Sequence, residues 1–243
     1  MSLRSTKAAD ADLKELASLP DLAVLDLTLS GVTDAGVKGL ARIKTLTSID
    51  LYACRVSDAG VKELGAMKQL TGLGLSSTGV TDVGVKDLAG LTALTELVLW
   101  DTRVTDDGCA DIARLAKLDR LDLDRTRVTD KGVKSLSKLP ALTRLSLASC
   151  PVTDAGAGDL AQLKTLIHLD LRKTRLTDKG LKDFAPLVNL AYLYLDGTEV
   201  TDAGLKDLVG LKSLRILQVE CTGVTDDGVE EVEKALPKCR VFR

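Results

Sequence analysis

Aromatic residues are scarce, with one Trp, three Tyr and two Phe in 243 residues. Leu, Val and Ala must supply nearly all the core material. There is a single His, and the five Cys are odd in number and form no CxxC pair. That pattern excludes a zinc site and a disulfide framework, and the cysteines read as reduced thiols. Neither charge dominates: 33 basic residues face 35 acidic ones, for a net charge of −2, with no long block of one sign. A nucleic-acid partner is excluded on that ground, because phosphate binding needs a basic field. No apolar run approaches the roughly 18 residues of a membrane span, so no membrane partner is expected. The opening stretch, MSLRSTKAADADLKEL, lacks an apolar segment of signal-peptide length. With the reduced thiols, that points to a cytoplasmic location.

What the chain does have is a repeat. The phrase GVTDAGVKGL at 31–40 returns as RVSDAGVKEL, GVTDVGVKDL and RVTDDGCADI. Its Gly falls at Gly36, Gly60, Gly84, Gly108, Gly132, Gly156, Gly180, Gly204 and Gly228, always 24 residues apart. A second pattern runs in step, from Leu22-x-x-Leu25-x-Leu27 to Leu214-x-x-Leu217-x-Val219. A fixed period of this length marks stacked units rather than an ordinary globular core.

Each unit divides in two. The LxxLxL half has apolar residues two apart, the strand period. The VTDxGVKxLAxL half places Val37, Leu40, Ala41 and Ile43 at helical spacing. Between them, Thr33 reads as a helix N-cap, with Asp34 favourable at the positive end of the helix dipole. Val32 and Val37 have the spacing of a hydrophobic staple across that cap. A Gly in the first turn costs about 1 kcal/mol of helix propensity. The expectation is that a side chain there would strike the next unit. One strand and one helix cannot bury their own apolar faces, but stacked units can. Strands pack at about 4.8 Å and helices at about 8–10 Å, so the stack bends, with strands inside and helices outside.

The motif LxxLxLxxTxVTDxGLKxLAxL resembles the leucine-rich repeats, and among them the cysteine-containing subclass of F-box proteins and bacterial relatives such as the GALA effectors. The column Ser30, Cys54, Thr78, Thr102, Thr126, Cys150, Thr174, Thr198 and Thr222 carries that subclass likeness. The resemblance implies an α/β fold: a right-handed horseshoe solenoid with a parallel β-sheet on the concave face and short helices on the convex face. It implies one domain: a partial N-terminal repeat over 1–21, nine 24-residue units over 22–235 and a terminal strand over 236–243. In the partial repeat, Ala8 and Asp12 stand where Val and Gly belong. At the other end the register is expected to drift after Ala235, leaving Cys239 and Phe242 inside. The implied role is that of a non-catalytic interaction module that binds a protein or long peptide and needs no cofactor or metal. The alternatives are the recognition arm of a ubiquitin-ligase-like assembly, or a structural spacer.

The variable strand positions are where recognition can live. In each LxxLxL, the residue before the second Leu and those flanking the third point away from the core. The only Trp, all three Tyr and the only His fall in this set. Trp, Tyr and Arg are the commonest binding hot spots; the competing reading is that these rings shield neighbouring strands. The expected site is one aromatic patch at Tyr52 and Trp100, a second at Tyr192 and Tyr194, and a charged middle of Glu96, Arg120, Asp122, Asp124, Arg144, His168, Asp170 and Arg172.

Three further features invite readings. The Asp column at the helix starts (Asp34, Asp58, Asp82 and onward) offers one carboxylate per unit, too few oxygens for calcium, and reads as capping. Ser146, His168 and Asp170 suggest a hydrolase, yet no oxyanion donors or nucleophile elbow accompany them. Arg55, Arg103, Arg127 and Arg175 share one column at the sheet edge. They read as a solvated ladder paired with nearby Asp residues, or as a grip for an acidic partner.

Overall fold

The structure, a computed structural model, describes every residue except Lys7 and Ala17. Ten three-residue strands form one sheet: β1 to β10 are Val24–Asp26, Ser48–Asp50, Gly72–Gly74, Glu96–Val98, Arg120–Asp122, Arg144–Ser146, His168–Asp170, Tyr192–Tyr194, Ile216–Gln218 and Arg240–Phe242. All pair in parallel and in chain order. Every register is 24 residues, as in Leu25↔Ile49 and Leu121↔Leu145. Each strand opens a rung, numbered with it. The framework leucines of both halves are buried in a continuous core.

The ladder runs beyond the strands. After each LxxLxL the chain turns through a residue with positive φ, at Leu29, Ala53, Ser77, Asp101, Arg125, Ser149, Lys173, Gly197 and Cys221. Only rung 8 uses glycine there; the other eight adopt φ of 51–59° with a side chain attached. Each isolated non-glycine left-handed residue costs about 1–2 kcal/mol. The turn nevertheless presents an amide to the next rung, as in Ala53 N to Ser76 O at 2.9 Å and Arg125 N to Ala148 O at 2.8 Å.

The helix starts are capped as expected. Thr33 is extended, and its hydroxyl accepts from the Ala35 N–H at 3.3 Å. Its neighbour Asp34, however, serves the next rung rather than its own. One carboxylate oxygen takes the Ser57 N–H at 2.8 Å and the other takes the Ser57 hydroxyl at 2.6 Å. The same two bonds join Asp10 to Thr33, Asp58 to Thr81, Asp82 to Thr105 and Asp106 to Thr129. They continue from Asp130 to Thr153, Asp154 to Thr177, Asp178 to Thr201 and Asp202 to Thr225.

This lash explains the glycine and corrects the direction of the expected collision. A Cβ on Gly60 would stand 2.5 Å from Asp34 Oδ1, and one on Gly84 would stand 2.6 Å from Asp58 Oδ1. The obstacle is the preceding unit's Asp, not the next unit.

The C-terminal end also differs from expectation. The last helix, Asp226–Ala235, runs ten residues, longer than the others, and buries Val232 and then Leu236. The strand register does not drift, since Val241 pairs with Leu217 at the usual 24 residues. That alignment puts Phe242 beside Gln218, on the outward face rather than inside, where the Arg240 guanidinium lies 4.7 Å from its ring. Cys239 is buried as expected.

Candidate binding face

The outward strand face is not uniform. Rung 3 carries almost no side chain: Gly72, Gly74 and Ser76. Tyr52 and Trp100, from the rungs on either side, lean together over this gap until their ring centroids are 5.8 Å apart. Ser76 is buried in consequence. A cavity of about 280 Å³ opens here, walled by both rings with Asp50, Asp122 and Arg4. The second aromatic patch is tighter. His168 stacks on Tyr192 at 5.2 Å and tilts against Tyr194 at 5.0 Å. Burial pulls the His168 pKa below its usual 6.5, and burial pushes the Tyr194 phenol upward.

Between the patches lies a trough of about 250 Å³ lined by Arg120, Asp122, Asp124, Arg144, Ser146, His168, Asp170 and Arg172. Glu96 pairs with Arg120 at 3.0 Å. Arg172 clamps Asp170 in bidentate fashion, with Nε 2.9 Å from Oδ1 and Nη2 2.5 Å from Oδ2. Asp170 is therefore buried under its own neighbour, at 5% exposure, and offers no open carboxylate to a partner as the outward pattern had implied. Thr28 and Ala148 are likewise outward positions that are covered. Strand alternation sets a direction, but side chains from adjacent rungs decide what stays open.

Asp124 accepts a hydrogen bond from the Ser146 hydroxyl, and its Oδ1 also takes the Ala148 N–H at 2.7 Å. Burial and then the Asp122 charge push its pKa up to about 6. Burial raises Asp122 as well. The hydrolase arrangement does not assemble: Ser146 donates to Asp124, Asp170 is taken by Arg172, and among the described residues no bond joins Ser146 to His168.

The edge arginines also depart from expectation. Arg55, Arg103, Arg127 and Arg175 are exposed, and none forms an ion pair among the described residues. The reason lies three residues on. The carboxylates of Asp58, Asp106, Asp130 and Asp178 have both oxygens committed to the next rung. A further cavity of about 200 Å³ sits at this edge, lined by Trp100, Asp124, Arg125, Ala148, Ser149, Arg172 and Lys173. Arg125, whose guanidinium lies 5.4 Å from the Trp100 ring centroid, and Lys173 were missed by the strand-face pattern. They occupy the positive-φ turn, one residue past the last outward position. The 24-residue spacing from Arg125 to Ser149 to Lys173 was the available signal.

An open parallel sheet of 24-residue rungs, one face invariant and buried and the other variable, defines a repeat-built binding scaffold. Family models agree: one described as a leucine rich repeat matches residues 140–200, and a second matches 19–41, 115–137 and 210–232. The chain belongs to the leucine-rich-repeat family. Among solved structures it is similar to an internalin (inlF) of Listeria monocytogenes, with a TM-score of 0.79 and 21% identity over 99% of this chain. It spans 66% of that protein's length. An internalin C2 (inlC2) of the same species gives a TM-score of 0.65 and 26% identity, over 86% of this chain and 83% of that one. A leucine-rich-repeat protein of Leptospira interrogans gives 0.52 and 18%, over 95% and 74%. No curated protein matches the sequence significantly.

Proposed function

We propose that the strand face is a docking surface for a protein or long peptide, with Tyr52/Trp100 and Tyr192/Tyr194 as its anchors and the charged trough as its middle. One observation carries the reading. Nearly every ring of a ring-poor chain is gathered on the variable face, half-buried, in two clusters flanking a polar trough. Trp100 and Tyr194 are four rungs apart, or about 19 Å at the usual strand spacing. A ligand touching both must be a polypeptide. The five thiols are all free, which supports a reducing compartment such as the cytoplasm. Among the described residues no helix is long and apolar enough to cross a membrane.

The mutual stacking of the rings also favours a second reading, in which they only cover neighbouring strands and the repeats act as a spacer. Capture from source-cell lysate separates the two. Trp100→Ala and Tyr194→Ala should each keep the melting temperature close to wild type and weaken partner binding by about 2 kcal/mol. Unchanged capture by a folded double variant would leave the spacer reading.

A further inference from the structure

We propose that the C-terminal edge of the sheet over rungs 4 to 7 binds an acidic, extended polypeptide segment. This rests on the reading of the strand side as a polypeptide-docking surface and names the chemistry of the partner. Five exposed cations gather there: Arg103, Arg125, Arg127, Lys173 and Arg175. None forms an ion pair among the described residues. Arg103 and Arg127 occupy the same column on adjacent rungs, about 4.8 Å apart along the sheet, where like charges repel. The fold holds them there without an ion pair among the described residues; the acid in the turn column of these rungs, Asp101, accepts the Ser77 hydroxyl at 3.1 Å. The nearest repeated carboxylates, Asp106, Asp130 and Asp178, are locked into the lash between rungs.

The basic stretch has a defined end. On rung 8 the Arg103, Arg127 and Arg175 column reads Glu199 and the Arg125 and Lys173 column reads Gly197; on rung 9 they read Gly223 and Cys221, beside the outward acids Asp196 and Glu220. Charge complementarity thus fixes both the sign of the ligand and its extent. The spacing favours an extended chain. Arg127 and Arg175 are two rungs apart, about 9.6 Å at the usual strand spacing. One turn of polyproline II rises about 9.3 Å and returns every third side chain to the same side. Carboxylates at every third residue therefore match alternate rungs. The cavity between Trp100, Arg125 and Lys173 adds an aromatic wall to the cationic edge.

Trp100 is the only Trp, and it lies beneath Arg125, so its fluorescence reports on the edge directly. The probe is an acetylated peptide of about twelve residues with Glu at every third position and Pro elsewhere, the composition that favours polyproline II. It is titrated beside its Gln counterpart and a single-stranded oligonucleotide of equal charge. The Glu peptide should bind, and its affinity should fall as salt rises. An Arg103→Gln/Arg127→Gln/Arg175→Gln variant should lose about tenfold or more, through loss of charge-assisted bonds. A Lys62→Gln/Lys134→Gln control on the helix side should bind as wild type does. Equal binding of the Gln peptide, an unaffected triple variant, or an oligonucleotide bound as tightly as the Glu peptide would each overturn the proposal. If a captured partner is lost by Trp100→Ala/Tyr194→Ala but kept by the triple arginine variant, the strand-face reading stands and the acidic-segment proposal falls.

Discussion

Asp106 and Asp124 belong to different parts of one solenoid and meet different fates. Asp106, at a helix start, accepts the Thr129 N–H at 2.7 Å, the Thr129 hydroxyl at 2.7 Å and the Gly132 N–H at 3.0 Å. Every donor comes from the next rung; because the sequence repeats, the two Thr or Ser bonds recur along the whole stack, and the Gly N–H bond recurs at Asp58, Asp82 and Asp154. Asp124, on the strand face, has the Ser146 hydroxyl and one amide, and it shares its surroundings with Asp122 and Asp170. Repeated positions have their partners supplied by the period. Unrepeated positions take what the neighbouring rung offers, and the charges left over are available to a ligand.

The core beneath both regions sets the upper bound on stability effects. Leu123 is fully buried in rung 5, directly under the strand face. Leu123→Ala should cost about 2–5 kcal/mol through lost burial and a cavity. Denaturant melts give the figure, and a loss smaller than that of any lash variant would mean the stack is held by its polar edge.

Next comes the lash itself. Asp106→Ala strands the Thr129 amide and the Gly132 amide together, and bonds to a charged acceptor are worth about 1.5–3 kcal/mol. The expected loss is about 2–3 kcal/mol on that basis. Thr129→Ala removes the cap and only the hydroxyl half of the lash, so about 0.5–2 kcal/mol is expected. If the two variants prove equal, or their order is reversed, Asp106 acts as a local cap after all.

Much of this framework was legible in the sequence. The 24-residue period gave the strand register, and Thr33, Ser57 and their equivalents were readable as caps from residue type alone. The lash was not readable in the same way. An Asp beside an N-cap has a sufficient local explanation in the helix dipole, and nothing in one unit shows a carboxylate reaching a residue 23 positions on. Phe242 was misplaced because the register was expected to drift after Ala235, while the pairing Val241↔Leu217 keeps it at 24 residues. The covering of Asp170 depends on which way Arg172 folds, and alternation along a strand does not encode that. The aromatic columns were identified, but only the gap at Gly72 and Gly74 lets Tyr52 meet Trp100 across a rung.

The third test reverses the sign. The pKa of Asp124 is about 6 in the folded protein, against an ordinary 3.8, with burial as the main cause and Asp122 next. A raised carboxyl pKa means that the folded state holds the proton more tightly than the unfolded state. Above pH 6 both states are ionised and folding carries the full cost; below 3.8 both are protonated and the cost is gone. Asp124→Asn keeps an oxygen for Ser146 and Ala148 and removes the charge. The site is partly open to water, so the expected gain at pH 8 is about 1 kcal/mol after screening. Paired melts at pH 8 and pH 4 should show the variant's advantage shrinking toward zero. A destabilised variant at pH 8 would make the Asp124 charge part of the framework, like that of Asp106.

The smallest effect is expected where a repeated position already tolerates two chemistries. In the buried turn column, the Thr126 hydroxyl donates to Leu123 O, three residues back in its own rung, at 2.6 Å. Thr102, Thr174 and Thr198 do the same with Leu99, Leu171 and Leu195. The Cys150 thiol instead reaches Leu123 O of the preceding rung, at 3.0 Å, and burial raises its pKa to about 11. Cys150→Thr therefore exchanges a weak bond across rungs for a stronger one within a rung, to Leu147 O, whose geometry the other rungs demonstrate. Volume is nearly conserved, so the change in stability should stay within about 1 kcal/mol. Alkylation under native conditions gives an independent reading of the same column: Cys221, exposed in the positive-φ turn, should label well before Cys54 or Cys150. A Cys150→Thr loss of more than about 2 kcal/mol would show that the thiol's bond across rungs is structural, well above what a packing cysteine contributes. The column would then belong with the lash as a second tie between units rather than as filler.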